Sequence, residues 1–531
     1  MQYFIHHVKI IDGSNSAAYY GNVGIRDGRL VICPAQPSLS ADSISIDGTG
    51  LTLCPGFIDS HSHSDLCMGA DPHRTLFAKV SQGVTTEVNG QCGYSLFPIH
   101  PANSGISIGI LGGFVSDRIR SVLPGMKQYS DYISYAGQCN NVTNSVQLVG
   151  HCLLRGAVMG TENRPATPKE LDTMCRLLDQ AMRQGAKGLS SGLVYIPGAY
   201  CDHAELTALC KVIAPYGGIY ATHMRNEADE VEHSVADSIA IAKEAGVKLV
   251  ISHHKICGKQ NWGRSVKTLE QIRCAHEEGV AVYLDLYPYH ATMTSLDNCI
   301  PPQYMSAGFS HLKELLADAD SRREITAQIK QNPAAYDNPY INTGGFHKIM
   351  VSVAPGTPDA VGKTVAEYAD LYNMDPFDAY YQLLIDNDNH CMASFFSLYE
   401  DEMLSIYASP YAMIGSDSIL NEAGGPSHPR AYGSFIRPLA EFALKRRLLP
   451  LEQAVYKQTG LTASVWNIPN KGLIRDGYDA DLVLLDESKL RDMADFRDGT
   501  RPAQGVVMVM NAGRIIYENN RLTGEYPGRA F

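Results

Sequence analysis

The amino-acid sequence predicts an α/β protein with a repeating strand and helix unit at its centre. Between about residues 56 and 469, apolar strands alternate with amphipathic helices, which is typical of a parallel sheet or a βα barrel. In the clearest unit, residues 218–222 have a strand pattern and residues 227–245 have helical apolar spacing. The next strand starts at residue 247, after the glycine cap Gly246. The chain ends differ, because short β-rich pieces separated by Asp-Gly and similar turns predict hairpins there.

The sequence divides into three predicted regions. Residues 1–55 and 470–531 would together form one small β-domain, and residues 56–469 would form the βα domain. Inside the βα domain, residues 290–347 contain two adjacent prolines and a charged helix but a looser pattern, which predicts an insertion or a lid. The length of 531 residues suits a single barrel with such additions.

Composition excludes some classes of partner. The formal charge of -12 and the isoelectric point near 5.8 argue against a nucleic-acid partner. The sequence has no uninterrupted apolar run of membrane-spanning length, so we expect no membrane partner, and Met1 leads too directly into a strand pattern for a signal peptide. Thirteen cysteines without a framework spacing fit reduced thiols, which predicts a cytoplasmic location.

Two histidines on alternate residues end the first apolar strand of the central region. Because side chains alternate across a strand, His61 and His63 project to the same side and their imidazoles can reach one metal ion. An isolated pair of this kind is as often simply the polar end of a strand. The interpretation therefore depends on other donors in the chain.

Further donors also follow predicted strands. They are Cys92, His223, His253 and Asp417. Each alone is more often structural than a metal ligand. In a βα barrel, however, the carboxyl ends of the strands form one face, where side chains from distant sequence positions converge. The joint placement predicts a metal site, and imidazole with thiolate favours zinc over magnesium or calcium.

The chain resembles the amidohydrolase superfamily and, within it, the N-acyl-D-amino-acid deacylase (D-aminoacylase) family. The context of Cys92 and the His-Pro-Arg segment at 428–430 narrow the resemblance to the deacylases. It covers nearly the whole chain and rests on residues 55–65, 89–95, 150–160, 188–198, 222–225, 252–255, 285–289, 414–417, 428–435 and 479–483. It implies a metal-bearing (β/α)8 TIM-type barrel, a small β-domain made from both chain ends, and a mobile insertion over the site.

The resemblance also implies a reaction and the residues that perform it. A tightly bound zinc would be held by Cys92, His223 and His253. A second, weaker divalent metal position would be marked by His61, His63 and Asp417, with the cysteine in the bridging place. Zinc would activate water and polarise the amide, and Asp417 would act as general base and acid. The products would be a carboxylic acid and a free D-amino acid.

The expected partner is a small-molecule substrate that carries an α-carboxylate. Lys255, Tyr287 and Arg430 match positions that bind this carboxylate in the family, and the planar guanidinium of Arg430 suits carboxylate geometry. The chain departs from the family pattern twice: the loop from Asp417 to Arg430 is slightly longer, and Met293 lies near the place of an expected serine. The sequence therefore predicts neither the amino-acid side chain nor the acyl group, and the oligomeric state stays open.

Three alternative functions compete with the interpretation as an N-acyl-D-amino-acid deacylase. A ring-opening cyclic amidohydrolase of the hydantoinase or dihydropyrimidinase type shares the superfamily, but Cys92 and Arg430 count against it. Residues 188–192 match the Gly-x-Ser-x-Gly pattern of serine hydrolases, with Ser190 as nucleophile, yet residues 193–198 are unfit for the helix that this motif needs. A non-catalytic scaffold would be expected to have lost ligands, and none is missing from the sequence.

Overall fold

The computed structural model describes residues 2–33, 43–100, 103–112, 115–305, 307–332, 336–420 and 428–531. Residues 421–427, which belong to the long loop expected between Asp417 and Arg430, lie outside the described residues. None of the helices in the described ranges combines the length and the apolar composition that a membrane crossing would need.

The strands of the described residues are numbered in chain order. They are β1 (Tyr3–Ile10), β2 (Tyr19–Arg26), β3 (Arg29–Cys33), β4 (Ile44–Asp47), β5 (Thr52–Pro55), β6 (Phe57–Asp59), β7 (Val84–Asn89), β8 (Asn144–Gln147), β9 (Val149–Gly150), β10 (Gly188–Gly192), β11 (Ile219–His223), β12 (Lys248–Ile251), β13 (Val282–Leu286), β14 (Thr292–Ser295), β15 (Ile349–Val353), β16 (Met392–Phe395), β17 (Ala412–Ile414), β18 (Leu482–Leu485), β19 (Val506–Asn511), β20 (Arg514–Glu518) and β21 (Arg521–Leu522).

The helices of the same residues are numbered in the same way. They are α1 (Phe77–Val80), α2 (Ser104–Leu111), α3 (Asp117–Val122), α4 (Tyr129–Ala136), α5 (His151–Met159), α6 (Pro168–Gln184), α7 (His203–Ile213), α8 (Val231–Ala245), α9 (Ser265–Glu277), α10 (Phe309–Ala317), α11 (Ala319–Gln331), α12 (Pro339–Thr343), α13 (Val365–Tyr372), α14 (Pro376–Asp386), α15 (Glu400–Ala408), α16 (Arg430–Gly433), α17 (Leu451–Lys457) and α18 (Gly460–Val465). A π-helix covers Pro438–Lys445.

Parallel strands form a closed ring at the centre of the molecule. β6, β7 and β8 pair in parallel, as do β9, β10, β11, β12, β13 and β17. Only Leu148 separates β8 from β9, so these two are halves of one barrel strand. The Ser60 N–H donates to the Ile414 carbonyl at 3.1 Å, which joins the last strand to the first. The predicted (β/α)8 barrel is confirmed.

The two chain ends build one sheet beside the barrel. Its order is β21-β20-β19-β18-β5-β1-β2-β3, and β4 pairs with β1. β18 runs antiparallel to β5, with Leu482 opposite Pro55, so the C-terminal strands continue the N-terminal hairpins. The small β-domain from both ends is therefore confirmed as part of the fold, while the exact domain boundaries stay a prediction.

A second core lies between β13 and α15. The antiparallel strands β14, β16 and β15 and the helices α10 to α14 enclose apolar side chains between Leu296 and Phe395 that form a cluster separate from the barrel core. The segment expected as an insertion, residues 290–347, forms the first part of this unit. Several of its side chains line the cleft at the mouth of the barrel.

The unit expected from residue 218 onward forms, but its helix begins later. α8 starts at Val231 and ends at Ala245, and Gly246, with a positive φ of 70°, caps it. The Asn226 side chain accepts hydrogen bonds from the N–H groups of Ala228 and Glu230 at 2.8 and 3.0 Å, which fixes the preceding residues as a loop. The loop carries side chains that reach the barrel mouth.

A buried cluster of charges fastens α1 to the end of β6. The Lys79 ammonium group donates to Asp59 Oδ2 and to Ser416 Oγ, and its Nζ lies 3.6 Å from Glu87 Oε2. Lys79, Asp59 and Glu87 are all buried. Removing one partner from such a cluster leaves an uncompensated charge in a medium of low polarity.

We expect Lys79→Met to lower the free energy of unfolding by about 3–5 kcal/mol, because two buried carboxylates lose their cation. The urea dependence of the protein's circular dichroism measures this loss. The matched control is Lys445→Met, which removes an exposed cation paired with Glu441 one helical turn away and should cost no more than about 0.5 kcal/mol. Equal shifts of the unfolding midpoint in the two variants would contradict the structural role of Lys79.

Candidate metal-dependent active site

The structure brings all of the predicted metal ligands together at one end of the barrel. Each lies at, or just after, the carboxyl end of β6, β7, β11, β12 or β17. They are His61, His63, Cys92, His223, His253 and Asp417, and all are buried. Residues far apart in sequence meet because parallel barrel strands all end on the same face.

The first group of donors surrounds the Asp417 carboxylate. His61 Nε2 and His63 Nε2 lie 3.4 and 3.2 Å from Asp417 Oδ1. Cys92 Sγ lies 3.3 Å from His61 Nε2. One ligand atom from each of these side chains falls within 4.8 Å of the others, so the four could hold one ion.

The second group shares its cysteine with the first. Cys92 Sγ lies 3.4 Å from His253 Nε2, and the ring centres of His223 and His253 are 4.4 Å apart. The ligand atoms of Cys92, His223 and His253 again lie within 4.8 Å of one another. Cys92 thus stands between two donor groups, a placement that lets one thiolate contact both.

Three of these donor residues have a left-handed backbone conformation. Cys92, His253 and Asp417 have φ values of 53°, 36° and 49°, a region that residues other than glycine rarely adopt. Each residue lies two or three positions beyond the last residue of a strand. Such conformations persist where the surroundings impose them, and they cluster at functional sites. The donor geometry therefore depends on how the strands end as well as on which residues they carry.

The pKa shifts of His223, His253 and Asp417 suit a metal, whereas that of His61 does not: burial lowers the pKa of His61, but the carboxylates of Asp285 and Asp417 outweigh burial and raise it. Burial holds the pKa values of His223 and His253 well below the usual range, so both imidazoles are neutral. Burial raises the pKa of the Cys92 thiol well above its usual value, so the thiolate needs a nearby cation. Burial alone would raise the pKa of Asp417, but Arg430 and the neighbouring histidines outweigh it and hold that pKa well below the usual range.

Three buried nitrogen atoms of this donor set make no hydrogen bond among the described residues: His61 Nδ1, which lies 3.3 Å from Asp285 Oδ1, His63 Nδ1 and His223 Nδ1. Neutral imidazoles, a thiol and a carboxylate packed this closely are the ligand types that zinc takes in proteins. The residues present therefore fit a zinc ion, and their number fits one or two ions.

The predicted carboxylate-binding residues lie next to the donors. Lys255 and Tyr287 line the cleft, with Lys255 Nζ 5.8 Å from the Tyr287 ring centre. Arg430 is only 1% exposed; its Nη1 donates to Asp417 Oδ2 at 2.7 Å and its Nη2 to the Met293 carbonyl at 3.2 Å. Lys255 and Arg430 both lie near the Tyr287 ring, and the role of these three residues in substrate binding stays a prediction.

The cleft over these residues has a volume of about 1430 Å³. Its walls are mostly apolar and aromatic, and the inserted unit supplies a large share of them. Near the donors, Tyr195 packs against the ring of His223 at a centre-to-centre distance of 5.0 Å, and Met293 lines the wall. A cavity that combines apolar walls with charged and polar side chains suits a small organic substrate.

Two carboxylates at the site were missed by the sequence analysis. Asp285 Oδ1 accepts the His253 N–H at 2.7 Å and lies 3.3 Å from His61 Nδ1. Glu227 Oε1 lies 3.0 Å from His253 Nδ1 and 2.7 Å from Lys255 Nζ. The sequence indicates a position near the site for each, because Asp285 lies near the carboxyl end of β13 and Glu227 follows His223 by four residues.

Ser190 does not occupy a nucleophile elbow. It lies in the middle of β10, fully buried, where its hydroxyl donates to the Gly90 carbonyl and accepts the Gly93 N–H at 3.0 Å. Residues 193–197 continue as turns rather than as a helix. The Ser190 hydroxyl therefore ties two backbone segments together.

Known proteins resemble this chain over its whole length. Residues 411–517 match a sequence profile of the amidohydrolase family. A D-aminoacylase from Alcaligenes xylosoxydans xylosoxydans is 32% identical over 98% of this chain and 95% of its own. The crystal structure of an N-acyl-D-glutamate deacylase from Bordetella bronchiseptica, complexed with zinc and a phosphonate inhibitor, is 30% identical, with a TM-score of 0.82 over 100% of this chain and 99% of its own.

Another structural match is more distant. The dihydropyrimidinase from Brevibacillus agri is 15% identical and has a TM-score of 0.55, with 100% of this chain and 98% of its own covered, which shows the shared fold alone. The D-aminoacylase, by contrast, is 32% identical over nearly the full length of both chains, which shows a shared family. The chain belongs to the N-acyl-D-amino-acid deacylase (D-aminoacylase) family of the amidohydrolase superfamily.

Proposed function

We propose that this protein is a zinc-dependent deacylase that hydrolyses the amide bond of N-acyl-D-amino acids, giving a carboxylic acid and a free D-amino acid. The observation that carries the proposal is the pair of donor groups that share Cys92 at the cleft, next to the ammonium group of Lys255. The named activities of the relatives, a D-aminoacylase and an N-acyl-D-glutamate deacylase, support the same reaction.

The proposed metal assignment follows the two donor groups. Cys92, His223 and His253 would hold one zinc ion tightly, and His61, His63 and Asp417 would mark a second, weaker position. A bound zinc ion supplies a lowered pKa for coordinated water and polarises the amide carbonyl. The position of Cys92 between the groups supports its role as the shared ligand.

Asp417 is the proposed general base and acid. Its carboxylate takes one proton from the attacking water as the water oxygen bonds to the amide carbon. It returns that proton to the leaving nitrogen as the carbon–nitrogen bond breaks, so the amine departs neutral. Burial alone would raise the pKa of Asp417, but Arg430, whose Nη1 donates to Asp417 Oδ2, and the neighbouring histidines hold it well below the usual range. The carboxylate is therefore ionised, and the same pairing makes it a weaker base.

The cations beside the donors support recognition of an α-carboxylate. Lys255 lines the cleft, and the Cζ atom of the buried Arg430 lies 4.9 Å from the centre of the Tyr287 ring. A carboxylate on the carbon next to the scissile amide would be drawn to these two positive charges. Tyr287 would add a hydroxyl donor.

We also infer a cytoplasmic location. Every cysteine whose side chain the structure describes is a free thiol, including several that are buried. Thiols persist in this state in reducing compartments.

The test of the proposed reaction is a hydrolysis screen of N-acetyl and N-formyl derivatives of D- and L-amino acids with the zinc-reconstituted protein. Released amine is measured. We expect hydrolysis of D-substrates, with the L-enantiomers slower by at least an order of magnitude in kcat/KM, a difference of about 1.4 kcal/mol in transition-state binding. A preference for L-substrates, or activity that survives complete removal of zinc by a chelator, would overturn the proposal.

A second test concerns the proton carrier. Asp417→Asn removes the base but preserves the shape of the side chain, so we expect kcat to fall by about 100-fold or more while the fold is retained. Steady-state kinetics and circular dichroism measure both. The matched control is Asp117→Asn, a fully exposed carboxylate on the rim of the same cleft, which should leave kcat unchanged. A wild-type kcat in Asp417→Asn would refute the assignment.

A further inference from the structure

Glu227 is a buried carboxylate that the proposed reaction does not use. It lies in the loop between β11 and α8 and is 5% exposed. Burying a carboxylate is costly unless its oxygens are paired. Glu227 Oε1 lies 2.7 Å and Oε2 2.8 Å from Lys255 Nζ, and Oε1 also lies 3.0 Å from His253 Nδ1. One carboxylate therefore contacts both a proposed metal ligand and a proposed substrate-binding cation.

Donor and acceptor chemistry determines how Glu227 and His253 interact. The Nε2 atom of His253 faces Cys92 Sγ, so Nε2 is the nitrogen available to a metal. When Nε2 is a ligand, Nδ1 carries the ring hydrogen and needs an acceptor. Lys255 Nζ is 2.6 Å from Nδ1, but an ammonium group can only donate. Glu227 Oε1 is then the acceptor within reach.

The Glu227 carboxylate also fixes the position of Lys255. With the ring hydrogen on Nδ1, the ammonium group and the imidazole are both donors, and both are satisfied by the Glu227 carboxylate. Lys255 also lines the cleft, so its charge is held at the cleft wall by the carboxylate behind it. Loss of the negative charge would free the ammonium group to leave this position.

Two other segments of the fold hold the backbone of Glu227 in place. Its N–H donates to Asp337 Oδ2 at 2.7 Å, and its carbonyl accepts the Cys257 N–H at 2.7 Å. Asp337 comes from the inserted unit, where its other oxygen accepts from Asn342 Nδ2 at 2.6 Å. Cys257 follows β12, the strand that precedes His253. The backbone of Glu227 is thus held by the barrel and by the inserted unit.

We propose that Glu227 is a positioning residue that orients His253 for metal binding and holds Lys255 at the cleft for the substrate carboxylate. This inference rests on the proposed function for its substrate-binding half. Its metal-binding half requires only that the protein binds zinc at His253.

The experiment compares Glu227→Gln with the wild-type protein in two measurements. The first is zinc retention against a competing chelator, which needs no substrate. We expect retention to weaken by about 10- to 100-fold, because glutamine offers the ring a neutral acceptor in place of a charged one. The second is the kinetics of the zinc-reconstituted variant. KM should rise for N-acyl-D-amino acids and rise less for the same amides without the α-carboxylate.

The matched control is Glu230→Gln, which removes an exposed carboxylate from the same loop and the same cleft. It should leave zinc retention and KM unchanged. Wild-type zinc retention and KM in Glu227→Gln would overturn the proposal, as would equal losses in both variants, since the effect would then be one of net charge. If Glu227→Gln does not fold, Glu227→Asp, which retains the charge on a shorter side chain, is measured in the same way and should show the same losses to a smaller degree.

The proposed function and the proposed role of Glu227 can be disproved independently of each other. If the wild-type protein hydrolyses no N-acyl-D-amino acid, the proposed function is wrong, but a selective loss of zinc in Glu227→Gln would still support the role of Glu227 toward His253. If the wild-type protein is an active deacylase and the variant matches it in both measurements, the inference about Glu227 alone is wrong.

Discussion

The carboxylate of Asp59 joins the first strand of the barrel to the last. Its Oδ1 accepts the N–H groups of His61 and Ser416 at 3.1 and 2.8 Å, and its Oδ2 accepts from Lys79. One of the two Oδ1 bonds is made by His61 and the other by Ser416, the neighbour of Asp417. His61 and Asp417 are consequently held at a fixed separation, although more than 350 residues lie between them in the sequence. Because every contact of Asp59 is buried, the seam of the barrel and the spacing of the proposed second metal position depend on the same charge.

Much of the site could be predicted because its signals are local. A donor that directly follows an apolar strand is visible in the sequence, and the parallel arrangement of the strands brings such donors to one face. His61, His223 and Cys92 were predicted in this way and lie together. The barrel and the sheet from both chain ends were predictable for a similar reason, since hairpin turns and alternating strands and helices leave short-range patterns.

Other parts could not be predicted because they depend on tertiary contacts. The pairing of Arg430 with Asp417, and the bond between Glu227 and His253, join segments whose separation no periodicity reveals. The left-handed turns at Cys92 and His253 are equally hidden, since the residue types there do not favour them. The later start of α8 is a smaller case, in which Asn226 side-chain bonds favour a loop over the first helical turn.

The central claim is that a thiolate shared by two donor groups holds the metal. The most direct measurement is anomalous X-ray diffraction at the zinc absorption edge from crystals of the zinc-loaded protein. The strongest peak is expected about 2.3 Å from Cys92 Sγ, at a position that His223 and His253 also coordinate. A strongest peak at His61 and His63 with none at Cys92, or zinc bound only away from the barrel mouth, would contradict the account.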